Sequence, residues 1–375
     1  MANSIICNLT MTTITKKVEV ASRKIFFGLI RWLLEREHKV SKEIKPESIK
    51  KVLFLRYDKM GDMIISLPVF KALKEKYANM HIAVMCSPRN KVVLKGNKNV
   101  DEIFVYRKRL FTDIKTVVEM RKRRFDCLVD LVFWESVTSA ILTAVVRGSG
   151  ISIGVGKGTF KEFYDHIIPT ERESKEHIIP KTMQVLEIFG IDPKSCDLYP
   201  HLSISEDDEL QAKIFLEKIK GSPIIGLNIS AGQPNRLWSL EKFAKLVHLL
   251  KNENQKSSFV IIYSVKDKNR ALQLQSRLNS QAVLIPFESS FQRVAAIIQN
   301  LDLLITPDTS LVPVAWSSGV SMVGLYSADL ENFHFWRPLT PNSRTVMSSS
   351  YYDIFDIEPE EVFKAANSLL TERNK

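Results

Sequence analysis

Two periodic patterns of apolar and polar positions alternate along most of the chain. Short apolar runs such as KVLFLRY (51–57) and PIIGLNI (223–229) are typical of strands buried on both faces of a parallel sheet. Between such runs, stretches like SLPVFKALKEKY (66–77) place apolar residues three or four apart, which indicates amphipathic helices. The alternation predicts an α/β protein with doubly wound parallel sheets.

This strand and helix pattern occurs twice. It stops at a polar stretch near residues 202–209 and then restarts, and a chain of 375 residues is too long for one compact core. We therefore predict two Rossmann-like domains, at 51–205 and 206–345. The stretch IEPEEVFKAANSLLTER (357–373) has a proline and acidic residues at its start and predicts a last helix within the segment 346–375.

Residues 1–50 form a basic extension ahead of the first strand. Within it, SRKIFFGLIRWLLERE (22–37) has a wide apolar face that is interrupted by Gly28 and Arg31, and it is too short to span a bilayer. The stretch also lacks the position and cleavage pattern of a signal peptide. We predict an amphipathic helix that lies on an anionic membrane surface. The alternative is a helix packed against the protein's own body.

Charge and cysteine usage narrow the possible partners. The chain has 53 Lys and Arg against 42 Asp and Glu, a net charge of +11, which favours an anionic partner. Ten of the basic residues lie in 1–50 and eight in 107–124. Nucleic acid is disfavoured because no aromatic platform or known binding motif accompanies them. The four cysteines are widely separated, which fits a reducing compartment and predicts neither a metal site nor a disulfide framework.

The loop after the first strand holds candidate chemistry. Parallel sheets bind ligands at the carboxyl ends of their strands, and Gly61 and Asp62 stand there, just before a helical pattern. Gly61 allows a close approach of the backbone to a ligand. Asp62 has two interpretations at this stage. It faces a ligand in the cleft, or it caps the helix and stabilises its dipole.

Two loops of the second half carry groups that suit an anion. They follow the strands of NISAGQPNRLWS (228–239) and LDLLITPDTS (301–310), and a helix begins after each of them. Neither loop is a Walker loop or a GxGxxG motif, so P-loop hydrolysis and ordinary dinucleotide binding are disfavoured. The small or polar residues suited to phosphate contacts are Ser230, Gly232, Arg236, Asp308, Thr309 and Ser310.

Three of these segments, taken in order, resemble a known family. GDMIISLPVFKALKEKY (61–77), ISAGQPNRLWSLEKFAKL (229–246) and LDLLITPDTSLVPVAWSSGVSMVGLYS (301–327) are similar to glycosyltransferase family 9, the ADP-heptose:lipopolysaccharide heptosyltransferases. The resemblance covers about residues 51–370. It implies a GT-B fold, in which two Rossmann-like domains face each other across a cleft and the C-terminal helix returns to the first domain. It also implies inverting, metal-independent transfer without a cofactor.

The resemblance assigns roles to individual residues. Asp62 matches the acidic residue proposed as general base on the acceptor hydroxyl. Arg236 stands where the family usually has a lysine that neutralises the departing diphosphate. Asp308 and Thr309 match the donor loop, with Ser310 beside them. Asp267 could replace the family's acidic contact to the nucleotide ribose, and the alternative is a solvated turn carboxylate.

The implied acceptor is an anionic, lipid-linked saccharide of the Kdo and lipid A type, at the cytoplasmic face of the inner membrane. Gly61, Asp62, Arg121 and Arg124 are the predicted acceptor contacts. We expect the basic residues of 107–124 and the N-terminal helix to hold the enzyme on the leaflet as a peripheral protein. The alternative is a solvated helix face.

Departures from the family pattern keep other functions open. Ser310 replaces the family's glycine, and Pro313 replaces a common histidine, which puts the identity of the donor in question. One alternative is a GT-B enzyme with another nucleotide-sugar or a protein acceptor. The other is a non-catalytic member that binds lipid or nucleotide, and the presence of Asp62, Arg236 and Asp308 argues against it. The core position that is glycosylated and the oligomeric state stay open.

Overall fold

The computed structural model describes residues 44–133, 136–169, 176–287 and 289–373. The amphipathic helix predicted at 22–37 lies outside these residues and stays a prediction. Within the described residues the chain forms two six-stranded parallel sheets covered by helices, one in each half of the sequence. This is the α/β, GT-B architecture that the sequence predicts.

The first sheet has the order β3-β2-β1-β4-β5-β6, and all its strands are parallel. Its strands are β1 (Lys51–Leu55), β2 (His81–Cys86), β3 (Glu102–Val105), β4 (Cys127–Asp130), β5 (Ile151–Val155) and β6 (His166–Ile168). The helices of this half are α1 (Met60–Ile64), α2 (Leu67–Lys76), α3 (Leu110–Lys122), α4 (Val137–Val146) and α5 (Ile178–Met183).

The second sheet has the order β12-β11-β10-β7-β8-β9, which repeats the topology of the first. Its strands are β7 (Ile224–Asn228), β8 (Ser258–Ile262), β9 (Ala282–Leu284), β10 (Leu303–Pro307), β11 (Met322–Tyr326) and β12 (Ser343–Met347). The helices are α6 (Glu206–Glu217), α7 (Leu240–Glu253), α8 (Lys268–Arg277), α9 (Phe291–Gln299), α10 (Leu311–Ser317), α11 (Leu330–Trp336) and α12 (Pro359–Arg373). Short 3-10 helices cover Pro46–Ser48, Lys91–Leu94, Gly158–Phe163, Gln184–Phe189, Pro193–Ser195, Pro234–Arg236 and Val265–Asp267.

Successive strand residues enter different cores, as the period of two requires. In β1, Val52 and Phe54 point into a large core that also contains residues of the second domain, such as Leu304. Leu53 and Leu55 point to the opposite face, which α3 and α4 cover. Both faces of each sheet are therefore buried, which explains why the strands read as continuous apolar runs.

Side-chain caps define where several helices begin. In five helices a serine or aspartate accepts the backbone N–H of the residue three positions later, which stabilises a helix start by about 1 kcal/mol. These residues are Ser136, Ser205, Ser239, Ser290 and Asp329. The cap at Ser205 starts α6, which packs against α9, so the chain enters the second domain at this point.

The C-terminal helix does not return to the first domain, and that expectation is corrected. Helix α12 packs against α7 and the second sheet. Its apolar residues Val362, Ala366 and Leu369 belong to the outer core of that sheet, and Arg373 pairs with Asp302 at 2.5 Å. The physical reason is that the outer face of the second sheet is apolar, and the apolar stripe of α12 buries it from water.

Candidate functional site

Arg56 is the centre of the loop that follows β1. Its side chain is fully buried, and its Nε donates to the backbone oxygen of Asp62 at 2.9 Å and to Ser66 Oγ at 3.0 Å. Its Nη1 donates to Asp58 Oδ2 at 3.0 Å, and its Nη2 lies 3.8 Å from Asp62 Oδ1. Because a planar guanidinium offers donors in several directions, Arg56 holds both carboxylates in one site.

Asp62 caps the helix, which is one of the two interpretations that the sequence left open. It is the third residue of α1 and only 6% exposed, and its Oδ2 accepts the backbone N–H of Lys59 at 3.0 Å. That contact caps the helix, whereas Oδ1 faces Arg56. The preceding Gly61 has a φ outside the left-handed region, and a Cβ added there would meet no atom within 4 Å. The turn itself does not require glycine, and the space beside Gly61 is open.

Asp58 is a second carboxylate of this loop, and the sequence analysis did not assign it a role. Burial raises the pKa of Asp58 to about 7, against the opposing effect of Arg56 and with a further increase from Asp62. Among the described residues, neither Oδ1 of Asp58 nor Nη2 of Arg56 has a hydrogen-bond partner. Both atoms are buried, so each is a polar group of this loop whose hydrogen-bonding capacity is not used.

A buried ionic network supports this loop from below. Asp130, the last residue of β4, pairs with Lys157 at 3.1 Å, and both side chains are fully buried. Tyr164 donates to Asp130 Oδ2 at 2.6 Å, and Lys157 donates to the backbone oxygen of Val132. A side chain at Gly154 would collide with Tyr164 and Lys157 at 2.8 Å, so this packing requires glycine.

The network fixes the segment that covers Arg56. The backbone oxygen of Leu131 accepts from Arg56 Nη1, and the guanidinium lies 5.2 Å from the centre of the Phe133 ring. Both residues directly follow β4 in sequence. Arg56 is therefore held between a hydrogen-bond acceptor and an aromatic face, which fixes the two carboxylates that it contacts.

In the second domain, Asp308 and Arg236 form the central ion pair. Arg236 Nη1 lies 2.8 Å from Asp308 Oδ2, which also accepts from Asn332 Nδ2 at 2.9 Å. Burial raises the pKa of Asp308, and Arg236, Asn332 and Lys59 oppose the rise. The Arg236 side chain is 32% exposed, so solvent reaches part of it. An arginine in this setting is suited to bind a phosphate group.

The residues after Asp308 order the start of α10. Thr309 Oγ1 accepts the backbone N–H of Leu311 and the Nδ2 of Asn228, both at 3.2 Å. Ser310 occupies the N-cap position of α10 and makes no side-chain capping bond, and Pro313 lies in the first turn. Thr309 thus has a structural role, while the Ser310 hydroxyl is not used by the helix.

The remaining predicted donor residues follow β7 and β8. Ser230 Oγ accepts the backbone N–H of Ser264 at 2.8 Å, and Ser264 Oγ donates to Asp267 Oδ2 at 2.5 Å. Asp267 is buried, so the alternative of a solvated turn carboxylate does not fit. Gly232 is exposed, and a Cβ there would meet no atom within 4 Å. This chain of hydroxyl groups positions Ser230 at the carboxyl edge of the sheet.

The two halves of the site face each other across the domain boundary. Helix α10 packs against α1, which carries Asp62. Burial raises the pKa of Asp308, and the positive charge of Lys59 is among the groups that oppose this rise, so a first-domain loop and a second-domain loop are within electrostatic reach. The structure thereby brings Gly61 and Asp62 to one wall of a cleft and Arg236 and Asp308 to the other.

Arg121 and Arg124 are not brought to this cleft. Arg121 is exposed at the end of α3 and donates to the backbone oxygen of Val145, and Arg124 is exposed just before β4. Both lie at the amino ends of the strands, opposite the edge that carries Asp62. The sequence could not reveal this, because it shows that α3 is basic but not at which end of the sheet the charges lie.

Several residues of the site carried only a weak sequence signal. Arg56 and Asn228 are polar residues inside or at the end of apolar strand runs, where a buried polar group needs partners. Asn332 gave no signal, because its contact to Asp308 spans 24 positions. Over the described parts of the chain, no group of three or more His, Cys, Asp or Glu is arranged to hold a metal ion.

Comparison with known proteins identifies similar sequences. The sequence model of glycosyltransferase family 9 (heptosyltransferase) matches residues 114–365, which include the whole second-domain site. Lipopolysaccharide heptosyltransferase 3 of Escherichia coli strain K12 is 21% identical over 305 residues, which cover 78% of this chain and 86% of that protein.

Solved structures agree with the fold. A family 9 glycosyltransferase from Veillonella parvula superposes with a TM-score of 0.75 at 20% identity, over 88% of this chain and 99% of that one. The E. coli ADP-heptose lps heptosyltransferase II gives a TM-score of 0.71 at 19% identity, over 87% of this chain and all of that one. At such identities the likeness shows a shared fold.

Proposed function

We propose that this chain, which belongs to glycosyltransferase family 9 and is a glycosyltransferase, moves a heptose from ADP-heptose to the inner core of lipopolysaccharide. The names of the E. coli relatives, which include ADP-heptose and lipopolysaccharide, support this donor and acceptor. The observation that carries the proposal is the division of the cleft, with carboxylates on the first-domain wall and the Arg236 and Asp308 pair on the other.

Asp62 is the proposed general base. Direct displacement needs a group that takes the proton of the acceptor hydroxyl while its oxygen forms a bond to the anomeric carbon. Asp62 Oδ1 is not used for helix capping and lies beside Arg56.

Arg236 is the proposed stabiliser of the leaving group. As the bond to the anomeric carbon breaks, its electron pair goes to the diphosphate, whose negative charge grows. Arg236 is a partly exposed cation of the second-domain wall, and Ser230 and Ser310 carry hydroxyl groups on the loops that follow β7 and β10. Asp308, which Arg236 and Asn332 hold in place, is the proposed contact to the donor sugar.

The acceptor in this proposal is anionic and linked to lipid, so the reaction takes place at the cytoplasmic face of the inner membrane. No helix in the described part of the chain is long and apolar enough to span a bilayer. The proposed association with the membrane is peripheral. The basic composition supports it, since the net charge of +11 favours an anionic surface.

One set of observations favours a different nucleotide-sugar as second candidate. Ser310 and Pro313 depart from the pattern that the family resemblance implies, and both lie at the start of α10 beside Asp308. The carboxylate of Asp267 is bound to Ser264, so its use for a nucleotide ribose requires the remaining oxygen. These differences affect donor choice and leave the base and the fold unchanged.

The test is to incubate the protein with ADP-heptose and Kdo-bearing lipid A and to measure the mass gain of one heptose together with released ADP. We expect Asp62→Asn to lower kcat by about 10²- to 10⁴-fold, because the amide still accepts the Lys59 N–H but takes up no proton. Asp58→Asn is the matched control in the same loop and should keep kcat within about tenfold.

Each result has a distinct meaning. Equal losses in Asp62→Asn and Asp58→Asn would contradict the assignment of Asp62 as the base. Absence of transfer by the unmodified protein with ADP-heptose, together with transfer from another nucleotide-sugar, would establish the second candidate function.

A further inference from the structure

The outer layer of the first domain has an exposed face that the catalytic site does not use. Helices α3 and α4 cover the face of the first sheet that points away from the second domain, and Met120, Leu142 and Val146 form the buried side of this layer. The other side of α3 faces solvent, as do single positions of α4 such as Val145. We call this exposed side the α3 surface.

The α3 surface contains exposed apolar side chains in a row. Ile114 is 52% exposed and Val118 is 44% exposed, and at a spacing of four they are neighbours on one helix face. Val145 of α4 is 39% exposed and is joined to α3 by the hydrogen bond from Arg121. An exposed apolar residue of α4 therefore lies next to the last turn of α3.

Positive charge surrounds this row. The basic residues of the α3 surface are Arg107, Lys108, Arg109, Lys115, Arg121, Lys122, Arg123 and Arg124. The nearby acidic residues offset few of them, since Glu102 pairs with Arg123 at 2.7 Å and Glu119 is exposed on the helix. Asp113 is buried, where it accepts backbone N–H groups of Arg107 and Arg109 and fixes the basic loop.

A second helix shows that exposed apolar residues alone do not define such a surface. On α6, Leu210 and Ile214 have the same spacing of four and are 54% and 39% exposed. Acidic residues outnumber basic ones on this helix, because α6 begins with the sequence EDDE (206–209) and contains one lysine, Lys213. The combination of apolar row and basic surround distinguishes α3 from α6.

We propose that the α3 surface is a docking site for an anionic lipid bilayer. Apolar side chains of an amphipathic helix insert at the boundary between headgroups and acyl chains, while Lys and Arg bind anionic headgroups. The charge of the surface is complementary to such a leaflet and that of α6 is not. This inference rests on the proposed function, because it supplies the route by which a lipid-linked acceptor is reached.

The surface is continuous with the wall of the cleft. Tyr106, which precedes the basic loop, packs edge-on against Tyr57 with ring centres 5.1 Å apart. Tyr57 directly precedes Asp58. The loop with Arg107 and Arg109 and the loop with Asp58 are therefore neighbours at the carboxyl edge of the sheet. A saccharide attached to lipid under the α3 surface thus reaches the first-domain wall from this side. Arg121 and Arg124, which lie away from the cleft, bind headgroups in this arrangement.

The experiment is cosedimentation of the full chain with vesicles of phosphatidylethanolamine and phosphatidylglycerol, compared with vesicles of phosphatidylcholine alone. We expect binding to the anionic vesicles that high salt weakens. The double substitution Ile114→Glu and Val118→Glu should weaken it about tenfold or more, because it removes the apolar row and adds two negative charges. The matched control, Leu210→Glu with Ile214→Glu on α6, should leave binding unchanged.

Enzyme assays with two acceptors separate this inference from the proposed function. The α3 variant should retain ADP release with a deacylated, water-soluble acceptor and lose it with the acceptor embedded in vesicles. Three results would overturn the docking site. They are unchanged vesicle binding by the α3 variant, an equal loss of vesicle binding in the α6 control, and no vesicle binding by the unmodified protein. Failure of the unmodified protein with the soluble acceptor would instead overturn the proposed function, and the vesicle result would be unaffected.

Discussion

The two domains share one strand order but build their halves of the cleft in different ways. In the first domain the central cation, Arg56, is fully buried, and the carboxylates are arranged around it. In the second domain the central cation, Arg236, is about one third exposed and pairs with a single carboxylate, Asp308. The same topology therefore supports one wall whose central cation is buried and held by several partners, and another whose central cation is partly exposed.

This difference corresponds to the chemistry proposed for each wall. A base must be held in one geometry relative to the acceptor hydroxyl, and the buried ions beneath the first-domain loop provide this order. An anion-binding group must be able to contact a ligand, which the partly exposed guanidinium of Arg236 can do more readily than the fully buried one of Arg56. The three predictions that follow test this contrast, beginning with the largest effect on stability.

Lys157→Met should destabilise the first domain. Breaking a buried ion pair leaves Asp130 uncompensated, which costs about 3 to 5 kcal/mol. Urea denaturation measures this loss, and the remaining folded protein should also be less active because the segment that covers Arg56 is released. The matched control is Arg147→Met, which breaks the buried pair with Asp165 at the opposite edge of the sheet. Equal activity losses in the two folded variants would remove the link between the network and the loop.

Arg236→Met should have a small effect on stability and a large effect on kcat. Because the Arg236 side chain is 32% exposed and Asn332 still donates to Asp308, its loss should cost less stability than the loss of the fully buried Lys157 and Asp130 pair. The value of kcat should fall by about 10²- to 10³-fold, since the charge on the leaving diphosphate grows in the transition state. Arg236→Lys keeps the charge, and we expect it to restore kcat to within about tenfold. A fall in stability with kcat unchanged would reverse the proposed contrast.

His177 provides a smaller, pH-dependent test at the boundary between the walls. Its Nε2 contacts the backbone oxygen of Arg337 at 2.8 Å, its ring packs against Trp316, and burial lowers the pKa of His177 to about 4. The unfolded chain takes up this proton near pH 6.5 and the folded protein does not, so stability is lost as pH falls from 6.5 towards 4.

The loss from pH 7 to pH 5 should be about 2 kcal/mol for this group alone. We expect His177→Asn to have a pH dependence smaller by that amount in urea titrations at the two pH values. The same pH dependence in both proteins would show that His177 is not the titrating group.

Much of the fold followed from local pattern. The strand runs and helix periods are local properties, and the family resemblance placed Asp62, Arg236 and Asp308 on loops that the structure brings to one cleft. The position of α12 did not follow, because its apolar stripe fits any uncovered sheet face and the sequence does not say which face is uncovered. Its contacts with the second sheet are long-range.

The surroundings of the site were harder to predict for the same reason. Asp58 obtains its raised pKa from burial and from Asp62, and Arg56 is covered by residues more than 70 positions away. Arg121 and Arg124 were expected at the cleft because their charge suits an anionic acceptor. Charge is visible in a sequence, but the end of the sheet at which it lies depends on how the helix packs.

The core that the inner faces of both sheets share has a consequence for cooperativity. It runs without interruption from Val52 in the first domain to Met322 in the second, so neither sheet can lose its inner helices without exposing apolar surface of the other. The two domains should therefore melt in a single calorimetric transition, with a van't Hoff enthalpy close to the measured one. For the same reason, relative motion of the domains should be a small sliding of packed helices, and wide opening of the cleft should be rare.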